Sequence, residues 1–215
     1  MSVSSMDSIE LRDTSVSTGE KLPFLLINDI PLSDFICDFS ETDTINKLKH
    51  LRLCWTDDYD FKADSRFERF CLAQSHANVP ILCGKEGFEF SDTVIVAEIS
   101  KTEAMVFWHR IGIIDQSAWS FDDERKSGVL LTDKYSDQDW EQFGNTFVFE
   151  DINSEVFKKY VSEHWEEELY RRRINYTYSF YQNDKNVKWL LQKQLVFERI
   201  KYEGIIDHSY EFQMK

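Results

Sequence analysis

Two apolar runs fix the centre of this chain. VIVAEIS begins at Val94 and AMVFWHRIGII ends at Ile114, with Thr102–Glu103 as the turn between them. The first run alternates and is rich in β-branched residues, and the second is almost continuously apolar. This predicts a hairpin whose second strand is largely buried. GVLLTD and TFVFED read as further strands, which extends a central antiparallel sheet from about Val94 to Phe149. Helical patterns lie on both sides of this block in the sequence, which makes the fold class α+β.

N-terminal to the block, residues 1–20 are rich in Ser, Thr and Asp and read as a mobile leader. Phe24–Ile27 reads as a short strand followed by a turn. Thr44 caps a predicted helix carrying Ile45, Leu48 and Leu51 on one face. Asp64 or Ser65 caps a second, carrying Phe67, Phe70, Cys71 and His76. Beyond the hairpin, SFDDERKSG reads as a polar connection and SDQDWEQFG as a short helix ending at Gly144. Asn153 or Ser154 caps the longest helix, with Val156, Tyr160, Val161, His164, Trp165, Glu168 and Leu169 at helical spacing in a mostly apolar stripe. That pattern persists into RRRINYTYSFY, where Tyr176–Tyr178 marks a break. NVKWLLQKQLVFERIKYEG reads as a helix through Leu190, Leu191, Gln194, Leu195 and Glu198. With no repeat, heptad train or linker, residues 21–215 form a single α+β domain with a central antiparallel sheet flanked by helices.

The 215 residues suffice for a core that needs no metal or disulfide staple. No stretch approaches the roughly 20 apolar residues that span a bilayer. The N-terminus lacks the basic and apolar regions of a signal peptide, so the expected location is cytoplasmic. Cys37, Cys54, Cys71 and Cys83 form no C-x-x-C pair and read as reduced thiols. A zinc site from Cys71, His76 and Cys83 has the wrong spacing, and no cofactor is expected.

Charge is the main functional clue. The net charge is −14, with −9 carried by residues 121–170 and +4 by residues 171–215. Such a surface repels nucleic-acid phosphates and anionic membranes and attracts basic proteins. Two clusters combine acids with aromatics. One holds Trp55, Asp57, Asp58, Tyr59, Asp60 and Phe61. The other runs from Trp119 through Asp122, Asp123, Glu124, Asp133, Tyr135, Asp137, Asp139, Trp140 and Glu141. Aromatic anchors ringed by carboxylates suit an interface with Arg and Lys. The same residues also suit a core with solvated acids around it. Glu166–Glu168 followed by Arg171–Arg173 reads as helical i,i+4 pairing, for example Glu167 with Arg171.

Catalytic signatures are absent from the sequence. There is no G-x-S-x-G, H-E-x-x-H or Walker A pattern, and His109 in FWHRIG reads as a sheet residue. Asp57–Asp60 and the D-x-D at Asp137–Asp139 lack the calcium-loop pattern. An enzyme using paired carboxylates, a regulatory scaffold and a nucleic-acid binder acting through Arg171–Tyr181 are the competing readings. The acidic, aromatic-rich character around these two clusters resembles the immunity proteins that bacteria use against toxins delivered between cells. That resemblance implies a non-enzymatic protein that blocks a basic toxin domain, such as a nuclease, with its acidic clusters standing in for substrate phosphates. Many such proteins are shorter than this chain.

Overall fold

The computed structural model describes residues 6–15, 21–37, 48, 51–56, 59, 61–84, 87–88, 90, 92–129 and 155–211. In chain order the strands are β1 (Ile9–Ser15), β2 (Lys21–Ile27), β3 (Ile30–Pro31), β4 (Arg52–Leu53), β5 (His76–Cys83), β6 (Val94–Lys101), β7 (Met105–Ile114), β8 (Val187–Leu191) and β9 (Leu195–Glu198). The α-helices are α1 (Leu32–Cys37), α2 (Lys62–Ala73), α3 (Phe121–Val129), α4 (Glu155–Glu163), α5 (Trp165–Arg172), α6 (Tyr178–Gln182) and α7 (Arg199–Glu211). A π-helical turn, Arg173–Thr177, joins α5 to α6. The architecture is α+β with a central antiparallel sheet.

The predicted hairpin is the middle of a six-stranded sheet ordered β4-β5-β6-β7-β8. The free edge of β7 is shared. β9 pairs with Met105–Trp108 and β8 with Ile111–Ile114. Gly112 makes that sharing possible, since a Cβ there would lie 2.6 Å from Val187 Cγ1 and 2.9 Å from the Lys188 carbonyl. β1, β2 and β3 form a separate three-stranded sheet. Its β2–β3 turn uses Asn28 and Asp29, both left-handed at φ 52° and 66°, as a two-residue primed hairpin requires.

The core gathers side chains from both sheets and from α1, α2, α6 and α7. At its centre Trp55, Trp108, Phe197 and Tyr202 meet largely edge to face, with Trp55–Tyr202 centroids 5.6 Å apart and Trp108–Phe197 5.5 Å. Both indoles are satisfied. Trp55 Nε1 donates to the Pro80 carbonyl and Trp108 Nε1 to the Tyr202 hydroxyl.

Several expectations are corrected. The sheet is not confined to Val94–Phe149, because it recruits β4 and β5 before that block and β8 and β9 after it. His76, expected on a helix, opens β5, whose next seven residues are all buried. Pro80 is accommodated there at a bulge. SFDDERKSG is not a loop but contributes most of α3, which Ser120 caps by accepting the Asp123 N–H. NVKWLLQKQLVFE is two strands rather than a helix, and only Arg199 onward is helical. Of the leader, Ile9–Ser15 form β1 in full register with β2, and Ile9 is buried. Asp7 fastens this segment to β9, exchanging hydrogen bonds with the Val196 backbone at 2.9 Å. Of the helix expected after Thr44, only Leu48 and Leu51 are described: Leu48 is buried, and Leu51 is half-buried and lies outside any helix, its N–H donating to the Leu48 carbonyl at 3.2 Å. The helix at SDQDWEQFG and the strand at TFVFED also lie outside them.

Candidate functional site

Helix α2 begins with Phe61 as its N-cap, which offers no side-chain acceptor. A carboxylate from another helix does this work: Glu166 Oε2 of α5 accepts the Ala63 N–H at 2.9 Å. Asp64 is therefore not a cap. It is buried, and it accepts from Arg173 Nε at 2.8 Å. Arg173 is itself fully buried, in the π turn where Tyr178 N–H reaches back five residues to its carbonyl. Its Nη1 lies 3.5 Å from Glu124 Oε1 of α3. One guanidinium thus joins α2, α3 and the chain after α5. Beside it Arg172 Nε donates to buried Glu168 at 2.9 Å. Gly128 allows α3 to close on this pair, since a Cβ there would fall 2.1 Å from Glu168 Oε1.

Glu124 carries the network to the surface. While Oε1 faces Arg173, Oε2 accepts Trp119 Nε1–H at 2.9 Å. The Trp119 ring is stacked on Phe90 at 5.5 Å and 14°, and it meets Phe121 edge to face at 6.3 Å. Among the described residues five large apolar side chains are exposed, and Trp119 (37%) and Phe121 (56%) are the aromatic ones. Asp122 and Asp123 are exposed in the first turn of α3 beside them. The arrangement is an aromatic anchor with a carboxylate rim, held from beneath by a buried ion network.

The two predicted clusters meet by two routes. Asp64, close to the first, and Glu124, within the second, share Arg173. An aromatic chain also connects them: Trp119 to Phe90 at 5.5 Å, then Tyr181, Phe67 and Phe88, ending on Tyr59. Individual assignments change, however. Trp55 is a core residue and not a surface anchor. Tyr59 is partly buried, donates to the Cys54 carbonyl at 2.5 Å, and has its phenol pushed well above the ordinary range chiefly by burial. Glu124 points inward. Asp122 and Asp123 are surface acids as expected. Asp57, Asp58, Asp60, Asp133, Tyr135, Asp137, Asp139, Trp140 and Glu141 lie outside the described residues.

Arg173 escaped the sequence reading, which assigned the arginine run to helical pairing. That pairing exists for Arg171 with Glu167, at 3.6 Å, and for Arg172 with Glu168. Its third member sits four residues beyond Leu169 on the apolar stripe, and this was the available signal.

Among the described residues no group of three or more His, Cys, Asp or Glu side chains is arranged to hold a metal. Cys71 and Cys83 are buried whereas His76 is exposed. Burial pushes the Cys54 and Cys71 thiols well above their ordinary range. His109 lies on β7 with Nε2 2.7 Å from Ser100 Oγ and Nδ1 3.3 Å from Gln194 Nε2. Among the described residues no helix is long and apolar enough to cross a membrane. No family model, curated protein or solved structure matches this chain.

Proposed function

We propose that this chain is a non-enzymatic binding protein that engages a basic protein partner through the Trp119–Phe121 face, in the manner of an immunity protein blocking a toxin domain. The observation that carries the proposal is the exposed aromatic pair fixed from below by Glu124 and Arg173. Interface hot spots are aromatic, surrounded by groups that exclude water, and stronger when already held in place. A rim of Asp122 and Asp123 adds steering for a cationic partner. Residues 130–154, next in the chain, carry six more acids against one base.

The test begins with capture of a partner from extracts of the native host, followed by binding kinetics of the purified pair. Phe121→Ala is expected to speed dissociation about thirtyfold, the equivalent of a hot spot worth about 2 kcal/mol. Asp122→Lys with Asp123→Lys is expected to slow association and flatten its salt dependence. Expression of the captured partner alone is expected to arrest growth, and co-expression of this chain to restore it. A captured partner with an acidic contact surface, or kinetics untouched by all three substitutions, would contradict the proposal.

A further inference from the structure

β1 is an end strand of the smaller sheet, and among the described residues it pairs with β2 alone. Short length and proline are common protections of a sheet edge. The opposite end strand, β3, has both, with two residues of which one is Pro31. β1 has neither. Its seven residues, Ile9–Ser15, include no proline, glycine or lysine, and its register with β2 is unbroken.

Hydrogen-bond parity identifies the groups this edge offers. The Asn28 N–H donates to the Ser8 carbonyl at 3.1 Å, on the β2 side, whereas the Asp7 N–H points the other way and donates to the Val196 carbonyl at 2.9 Å. Alternate residues of an antiparallel strand bond to opposite neighbours. Glu10 and Arg12 therefore turn their backbone groups to β2, while Ile9, Leu11 and Asp13 turn theirs to the outer edge. Pro23 agrees with this parity, because it stands opposite Asp13, where the two strands exchange no bond. Side chains alternate as well. Ser8, Glu10 and Arg12 are exposed on one face, while Ile9 is buried and Leu11 half-buried on the other. On that second face a groove of about 400 Å³ runs between β1 and α7, with Ile9 and Leu11 on one wall and Gly204 and Ile205 on the other. Gly204 keeps it open, since nothing lies within 4 Å of the place a Cβ would take.

We propose that β1 pairs antiparallel with β1 of a second copy of this chain about a twofold axis at Leu11, joining the two smaller sheets into one. In this register Leu11 faces Leu11, and Ile9 faces Asp13 in both directions, so the facing residues are those whose N–H and C=O groups point outward. Glu10 of each copy faces Arg12 of the other, at the non-hydrogen-bonded positions where side chains approach most closely. Moving the axis one residue either way keeps the backbone parity but sets Glu10 against Glu10 or Arg12 against Arg12, and like charges directly opposite are destabilising. The charges at 10 and 12 thus make the edge complementary to itself, as a twofold interface requires. The pairs Arg12 makes within the chain, with Glu10 at 2.9 Å and Asp29 at 3.4 Å, are exposed and cost little to exchange. The two Leu11 side chains meet on the α7 side, over the groove. Neither Trp119 nor Phe121 lines this groove, so the dimer stands independently of the partner face.

The experiment is sedimentation equilibrium of the full chain in about 0.15 M salt, where screening over about 8 Å limits the repulsion between two copies of net charge −14. A monomer–dimer equilibrium is expected, with a Kd at or below about 0.1 mM. Hydrogen exchange should show the Ile9, Leu11 and Asp13 amides protected above that Kd and open to exchange below it. Arg12→Glu and Glu10→Arg, each first shown to be folded by circular dichroism, are expected to weaken their own dimers at least about tenfold by setting like charges opposite. Mixed together, these two variants should associate with each other, and Glu10→Arg with Arg12→Glu in one chain should restore the homodimer. Should a variant fail to fold, the wild-type equilibrium and its amide protection decide alone. A chain still monomeric at about 1 mM overturns the proposal and leaves the edge to a strand of another protein. It is equally overturned by a dimer whose Ile9, Leu11 and Asp13 amides exchange freely, by protection already present in the dilute monomer, or by folded single variants that dimerise as wild type does.

Discussion

Trp108 and Arg173 are both fully buried, but they are satisfied in different ways. Trp108 lies among Trp55, Phe197 and Tyr202, where area and shape provide the stabilisation and one indole hydrogen bond completes it. Arg173 lies between Asp64 and Glu124, where desolvation of three charges must be offset by ion-pair and hydrogen-bond geometry. The sheet core is therefore non-directional and tolerant of similar shapes. The layer of α2, α3 and α5 is directional, so an error at one atom propagates to its neighbours. Only the second region reaches the surface as an aromatic pair. On this account it exchanges some stability for a fixed anchor.

The largest expected effect separates the two regions. Arg173→Met keeps much of the volume but removes the cation shared by two buried carboxylates, and should lower stability by about 3–5 kcal/mol in urea denaturation. Leu195→Met in the sheet core, also volume-conserving, should cost less than about 1.5 kcal/mol. Adding Asp64→Leu and Glu124→Met to Arg173→Met should recover most of the loss, because an apolar replacement of a buried ion cluster is often neutral. Equal costs for the Arg173 and Leu195 variants would erase the contrast.

Next comes the N-terminal segment. Removing residues 1–20 takes away β1 and the Asp7–Val196 bonds, and re-exposes what Ile9 and Leu11 cover. A loss of at least about 2 kcal/mol is expected, seen as a fall of more than about 5 °C in Tm.

Alkali should act on the apolar side of the comparison. Burial pushes the Tyr181 and Tyr202 phenols above their ordinary range. In the unfolded chain they ionise near pH ~10, while the folded chain keeps both protons. The unfolded state then binds fewer protons, so stability is intact below about pH 10 and falls above it, by up to about 1.4 kcal/mol per pH unit for each tyrosine. Urea midpoints measured at about pH 8 and about pH 11 test this. The smallest effect is at the anchor, where Phe121→Ala, at an exposed position, should change stability by less than about 0.5 kcal/mol while weakening the partner complex.

The β6–β7 hairpin was legible because its alternation is local and long. β8 and β9 were not. Leu190, Leu191 and Leu195 fit a helical face as well as two short strands, and only the shared edge of β7 selects between them. β1 was missed because polar residues dominate a strand whose partner lies beyond an intervening polar stretch. α3 was missed although Ser120 followed by Asp123 is a helix-start signal. The clusters around Trp55 and Trp119 were visible as composition, but composition does not give direction. Trp55 turns inward and Trp119 outward because one follows β4 into the sheet core, while the other precedes a helix that lies over Arg173.

The central claim is that the buried Arg173–Glu124 pair fixes the exposed Trp119 ring, and indole N–H resonances report on it most directly. In the wild-type chain the Trp119 indole proton is expected as a single sharp resonance, slow to exchange with solvent because Glu124 holds it. In the refolded triple variant Arg173→Met, Asp64→Leu, Glu124→Met, the same resonance should broaden and exchange at the rate of an exposed indole, while the Trp55 and Trp108 resonances stay in place. A Trp119 resonance as sharp and as protected in that folded variant as in the wild type would contradict the claim.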